Sequence, residues 1–305
     1  MFNFFSRSPT VAAWAARHVA ATEQLVADGK RRPTVLFNTR ALCKHITTVI
    51  GDLRMDAVTP PDVMRVIRYL QERDCPSSAQ RSVLMLRRLH YEAIEAGVVL
   101  ADCNPARAIR LPRVTIQRNR LSLDQWRQMI EAAAVCRYPY LHRAMLLAVV
   151  TAQRRGDIVM MRFSDIVDGC LRIHQAKTSA RVAIPLALRC KAIGWSLDDV
   201  IRLCREGSGS PFLLQVAQKM RGEHVNASLI SVRFAKLRDE VLGKWQDEGT
   251  PPTFHEQRSL SERLYAEQGL QTRKLLGHRR QGMTDAYNSD RRLREWVTIP
   301  LEHQS

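Results

Sequence analysis

Cys170-Leu-Arg-Ile-His-Gln-Ala176, Lys177-Thr-Ser-Ala-Arg181 and Val182-Ala-Ile-Pro-Leu186 read together as a β-hairpin with a short turn, the clearest β-signal in the chain. The pattern on both sides of it is helical. Just upstream, Ser122 caps a helix over 122–134, and residues 140–150 form a strongly apolar helix that must be core. Downstream, helices are expected over 197–205, 226–242 and 255–268, with Gly207-Ser-Gly-Ser-Pro211 and Gly249-Thr-Pro-Pro252 as loops. Further out, Val11, Trp14, Ala15, Val19 and Leu25 mark an amphipathic helix over 10–30 that ends near Gly29. Segments 34–50, 60–73 (Thr59 as N-cap, proline in the first turn) and 77–96 (ending at Gly97) complete a four-helix first domain. The fold class is therefore mainly α with a small β-sheet, α+β. No internal repeat is visible.

Forty-seven Lys and Arg against 30 Asp and Glu give the 305-residue chain a formal charge of +17, which points to a polyanionic partner. The excess is shared by both halves, so it is not one detachable tail. With 45% hydrophobic residues the chain has material for real cores, which excludes a disordered basic protein. The longest apolar run, 144–150, is far too short to span a bilayer, so a cytoplasmic protein without a membrane partner is expected. Seven cysteines, of which Cys190 and Cys204 are the closest pair, show no CxxC spacing; reduced thiols are expected, with no metal site and no cofactor.

Between Asp102 and Asp124 there is no acidic residue, while Arg107, Arg110, Arg113, Arg118 and Arg120 are interleaved with Pro105 and Pro112. This reads as an extended cationic linker able to track a phosphate backbone. The expected organisation is a short N-terminal extension (1–9), a helical domain (10–103), a basic linker (104–120) and a second domain with a C-terminal tail (121–305). In the first domain Arg40, Lys44, Arg81, Arg87 and Arg88 are candidates for phosphate contact, with solvated helix faces as the alternative.

The apolar helix runs directly into Thr151-Ala-Gln-Arg-Arg-Gly-Asp157. Two arginines where a buried helix emerges need an anion or a carboxylate, and Asp157, three residues after Arg154, buttresses that guanidinium if the segment is helical. Further on, His255 and Arg258 share one helix face, with Leu260 and Leu264 roughly opposite. Leu275-Leu-Gly-His278 follows, and then Tyr287 in the polar stretch Thr284-Asp-Ala-Tyr-Asn-Ser-Asp290, where its ring should be accessible.

In this order along the chain, the stretches Ala148-Val-Val-Thr-Ala-Gln-Arg-Arg-Gly-Asp157, Phe163-Ser-Asp-Ile-Val-Asp-Gly169, Gln175-Ala-Lys-Thr178, Pro252-Thr-Phe-His-Glu-Gln-Arg-Ser-Leu-Ser261 and Leu275-Leu-Gly-His278 with Tyr287 resemble the tyrosine recombinase family, most closely the lambda-type phage integrases. The resemblance covers nearly all of residues 10–300. It implies a helical core-binding domain followed by a mixed catalytic domain. It also matches Arg154 to the first catalytic arginine, Lys177 to the hairpin lysine, His255 and Arg258 to the His-x-x-Arg pair, His278 to the second histidine and Tyr287 to the nucleophile. Two positions depart from the family pattern. Ala152 stands where glycine is usual; in a turn that needs positive φ, alanine costs about 1 kcal/mol. And only about ten residues precede the first helix, so a recombinase acting on core sites without an arm-binding domain is expected.

The implied activity is site-specific integration or excision of a mobile element or prophage. A tyrosine nucleophile conserves the phosphodiester bond energy in a 3′-phosphotyrosine, so neither a nucleotide cofactor nor a divalent metal is required. The resemblance further implies a homotetramer on paired double-stranded core attachment sites, in a bacterial or phage-infected cell. The tail Val297-Thr-Ile-Pro-Leu301 would pack on a neighbouring protomer, and accessory directionality or DNA-bending proteins are compatible partners. A strand-swivelling topoisomerase and an inert DNA-binding descendant are the competing readings. The first domain and linker argue against the former, the intact set of chemical residues against the latter.

Overall fold

The computed structural model describes residues 8–114, 118–207, 209–215, 223–246 and 248–277, and the chain divides into two compact units between Ile116 and Gln117. The first is built from α1 (Val11–Ala27), α2 (Pro33–Ile50), α3 (Pro60–Gln71) and α4 (Pro76–Glu95). Their starts follow from local chemistry: Thr10 Oγ1 accepts from Ala13 N, and Pro33, Pro60 and Pro76 occupy first-turn positions where a missing N–H costs nothing. Asp62 reaches back to accept from Thr59 N at 3.0 Å, fixing the start of α3. Trp14, Ile46, Val66, Leu86 and Leu89 are buried between the helices, and the Trp14 indole donates to Leu89 O at 3.0 Å, tying α1 to α4.

The linker expected over 104–120 is shortened from both sides. Ala106 is buried in the first unit's core, where Arg87 donates to Ala106 O (2.9 Å) and Ile109 O (2.7 Å) and Asn104 donates to Arg87 O. Residues 118–120 belong instead to the second unit. Asn119 N donates to Thr250 O, and Arg120 is buried in an ion pair with Glu256 at 2.9 Å.

In the second unit, α5 (Leu123–Val135) starts at a reciprocal Ser122–Gln125 cap. It is followed by α6 (Pro139–Thr151), α7 (Arg155–Ile158), β1 (Ile166–Val167), β2 (Cys170–His174), β3 (Arg181–Pro185), β4 (Arg189–Cys190), β5 (Trp195–Ser196), α8 (Leu197–Arg205), α9 (Ala227–Leu242), α10 (Glu256–Glu267) and α11 (Thr272–Leu276). The apolar α6 is buried from Ala144 to Thr151 and lies against α5, α8, α9 and α10, as a helix without a polar face must. The hairpin is present as β2 and β3, antiparallel with Leu171 opposite Ile184 and Ile173 opposite Val182. Leu171, Ile173 and Ile184 point into the core while Arg172 and His174 face out. A strand not foreseen, β1, adds to β2 across Asp168-Gly169, both at positive φ as a two-residue hairpin turn requires. Among the described residues the sheet order β1-β2-β3 leaves β3 at the edge, and β4 pairs with β5.

Candidate active site

The end of α6 sets up the site. The fully buried helix must turn sharply at its C-terminus, and it does so at Ala152, which is left-handed at φ 55° and ψ 22°. The positive φ anticipated for this turn is therefore borne by an alanine, a conformation that costs an L-residue about 1–2 kcal/mol relative to glycine. Arg154 follows in extended geometry (φ −72°, ψ 149°), and only then does the short α7 begin.

Arg154, Arg155 and Gly156 from this turn, Arg118 from the start of the unit, Ser231 on α9, and Thr253 and His255 ahead of α10 line one cleft of about 410 Å³. Three guanidinium groups meet here with no carboxylate among the described lining residues, an arrangement suited to a phosphate. Arg155 donates to Ser231 Oγ, which holds its side chain along the cleft wall. Beneath, Arg258 is 1% exposed and held by two main-chain carbonyls, donating to Ala152 O and, at 2.6 Å, to Leu276 O. The buried cation thus clamps the Ala152 turn to the end of α11. Lys177 stands exposed on the β2–β3 turn, close enough to act electrostatically on His255.

That imidazole is largely removed from water and surrounded by cations. Burial first, then the charges of Arg258, Arg118, Arg154 and Lys177, push its pKa down to about 4. At neutral pH His255 is therefore uncharged and able to accept a proton.

Arg154 and His255 thus line one cleft, with Arg258 buried beneath it and Lys177 within electrostatic reach of His255, while His278 and Tyr287 lie outside the described residues. Asp157 plays a different part from the one expected. Arg154 is the extended N-cap of α7, so it meets Asp157 through its main-chain carbonyl, which accepts from Asp157 N at 2.8 Å. The Asp157 carboxylate instead accepts from Ala176 N at 2.8 Å, anchoring the hairpin turn, and Arg154 donates to Gln175 Oε1 at 2.9 Å. Among the candidate phosphate contacts, Arg120 is withdrawn into its ion pair with Glu256 and a 2.6 Å bond to Ser259 Oγ, so it cannot track a strand. Arg87 is spent on main-chain carbonyls. Arg40 and Arg88 are exposed but paired with Glu23 and Glu92, whereas Lys44, Arg81, Arg107, Arg110, Arg113 and Arg118 are exposed. Residues not foreseen as part of the site are Gln153, Gln175, Ser231 and Thr253. Arg155 was visible only as the second member of an arginine doublet.

The family model described as the phage integrase family matches residues 119–294. The chain is 41% identical over 307 residues to the prophage integrase IntE of Escherichia coli (strain K12), covering 96% of this chain and 78% of that protein. It is 38% identical over 297 residues to the integrase of Enterobacteria phage P21, covering 96% and 77%. Among solved structures, the lambda integrase tetramer bound to a Holliday junction superimposes with a TM-score of 0.85 at 31% identity, over 97% of this chain and 81% of that one.

Proposed function

The chain belongs to the phage integrase family of tyrosine recombinases, and from that premise we propose that it cuts and rejoins DNA at specific core sites, with Tyr287 as the nucleophile. The observation that carries this reading is the cleft in which Arg118, Arg154 and Arg155 converge on a neutral His255. The phenol of Tyr287 passes its proton to His255 and its oxygen attacks the scissile phosphorus. The P–O5′ bond breaks, and Lys177 protonates the departing 5′-oxygen. Charge gathering on the non-bridging oxygens is met by the guanidinium of Arg154, a planar donor positioned before the reaction begins, and by the charge of the buried Arg258 from beneath. His278 donates a further hydrogen bond to the same phosphate. Attack by a 5′-hydroxyl of another strand on the phosphotyrosine reverses the step, and so exchanges strands rather than hydrolysing them.

In this reading the first unit is the core-binding domain, its exposed cations and those of residues 107–118 holding the backbone of the DNA. Four protomers act on two duplexes, as in the lambda integrase tetramer on its junction. Among the described residues no strand pairs with the outer edge of β3, which borders a largely apolar groove of about 800 Å³ shared with residues 269–277, and this supports docking of a neighbour's Val297–Leu301 tail there. Among the described residues no helix is long and apolar enough to cross a membrane, and we place the protein with its DNA in the cytoplasm of a bacterial or phage-infected cell. Directionality factors or DNA-bending proteins fit the same scheme.

The test is incubation with suicide-nicked DNA from the attachment region of the encoding element, with the adduct mapped by mass spectrometry. An adduct on Tyr287 is expected. Tyr287→Phe should abolish it while leaving DNA binding within a few-fold, because one hydroxyl and no charge is removed. Normal recombination by that variant would sink the assignment.

A further inference from the structure

Gln175 is fully buried next to the cleft residue Arg154, and its amide is used in full. Oε1 accepts from Arg154 Nη1 at 2.9 Å and from Thr178 Oγ1 at 2.6 Å. Nε2 donates to Gln153 Oε1 at 2.7 Å and to Leu276 O at 3.0 Å. Gln153 in turn donates from Nε2 to Thr151 O and Leu275 O, both at 2.9 Å. The orientation of the Gln175 amide is dictated by its surroundings. One side faces a guanidinium and a hydroxyl that can supply hydrogens, the other an amide oxygen and a carbonyl that can only accept. Turned over, the amide would set NH₂ against a guanidinium and oxygen against oxygen. A carboxylate lacks the donors, and a thioether lacks them too and accepts only weakly, so only an amide of this length satisfies every neighbour.

The main chain of the same residue closes the lysine-bearing turn. Gln175 N donates to Ala180 O at 2.8 Å, and Ser179 N donates to Gln175 O at 2.9 Å. One residue therefore joins the direction of Arg154 to the shape of the turn carrying Lys177. The close approach has left a mark in the sequence. A Cβ at Gly277 would lie 2.8 Å from Gln175 Nε2 and 2.9 Å from Oε1, and Gly277 is also left-handed at φ +64°.

We propose that Gln175 is the positioning residue that aims the Arg154 guanidinium at the phosphate and couples it to the Lys177 turn, with Gly277 making room for its amide. This rests on the reading of Arg154 as a phosphate-binding group. Gln175→Met, matched in length and apolar, removes all four side-chain bonds and no charge. At saturating protein on the suicide-nicked duplex, adduct formation should slow about 100-fold, the scale of an ångström-level misplacement, while the Kd for intact DNA moves less than about threefold. Arg154→Ala is run beside it. Gln175→Met cleaving within about threefold of the parent while Arg154→Ala abolishes the adduct overturns the proposal alone. Equal losses of affinity and rate overturn it too, by making Gln175 a residue of the core. An Arg154→Ala variant that still cleaves normally removes the reading beneath it. Should Gln175→Met not fold, Gly277→Ala displaces the amide without deleting it and should slow cleavage by a similar factor, again with Kd held. Where both fold, the double variant should be no slower than the worse single one, whereas additive losses would mean that the two residues act separately and would overturn the coupling.

Discussion

Replacing His255 by asparagine should make the protein less sensitive to acid, and the size of the effect follows from the burial of the imidazole among Arg258, Arg118, Arg154 and Lys177. With a folded pKa of about 4 against an ordinary value of 6.5, the unfolded chain binds the extra proton between those two values. Stability linked to His255 is therefore fully present above pH 6.5 and drains away as the pH falls toward 4. Between pH 7 and pH 5 the difference amounts to about 2 kcal/mol, since one unit of pKa corresponds to about 1.4 kcal/mol. Urea denaturation of parent and His255→Asn at both pH values isolates this share, because all other titrating groups are common to the two proteins. The parent should lose about 2 kcal/mol more than the variant. An equal loss in both would mean that His255 titrates as an exposed histidine, which would remove the reason to regard it as a neutral base in the cleft. The same shift predicts that the acid limb of the cleavage rate between pH 5 and 7 does not belong to this residue.

Arg155→Ala should lower the slope of log affinity against log salt by about 0.9 and weaken binding evenly across DNA sequences, as expected for one lost phosphate contact; an unchanged slope would leave Arg155 serving Ser231 alone. Arg120→Ala strands the buried Glu256 carboxylate and should cost about 3–5 kcal/mol in denaturant titrations with the salt slope unaltered, while the paired change Arg120→Met with Glu256→Leu costs far less; a lowered salt slope in the single variant would restore Arg120 to the strand-tracking residues. At Ala152, exchange for glycine relieves about 1–2 kcal/mol of left-handed strain. It also loses a buried methyl worth about 0.8 kcal/mol and adds about 0.4–1 kcal/mol of unfolded-state freedom. Thermal melts should therefore place Ala152→Gly within about 1 kcal/mol of the parent, and a larger gain would show the turn to be strained beyond its φ.

Where local rules decide the structure, the sequence was readable. Ser122 and Thr59 announce helix starts because a side-chain oxygen beside orphan amides acts within one turn, and each start lies where the cap places it. The hairpin was readable for a similar reason, since alternation over two five-residue strands exposes one face and buries the other. β1 escaped because two residues have no periodicity, although Asp168-Gly169 before Cys170 is the turn chemistry that brings it back on β2.

The misreadings share one cause, which is that a charged side chain carries no local mark of its partner. Arg118 and Arg120 are two positions apart in the same basic, proline-flanked stretch, and yet one lines the cleft while the other is buried on a carboxylate 136 positions away. No window of sequence contains both halves of that pair. Asp157 fails in the opposite direction: the local rule offered it Arg154, but the left-handed Ala152 delays the helix by three residues and turns the carboxylate to the hairpin. Gln175 combines both difficulties, since its partners lie at Gln153, Arg154, Thr178 and Leu276, and an uncharged amide beside a lysine draws no notice. The one sequence trace of its role is a glycine a hundred positions downstream, whose missing Cβ makes sense only once the amide beside it is seen.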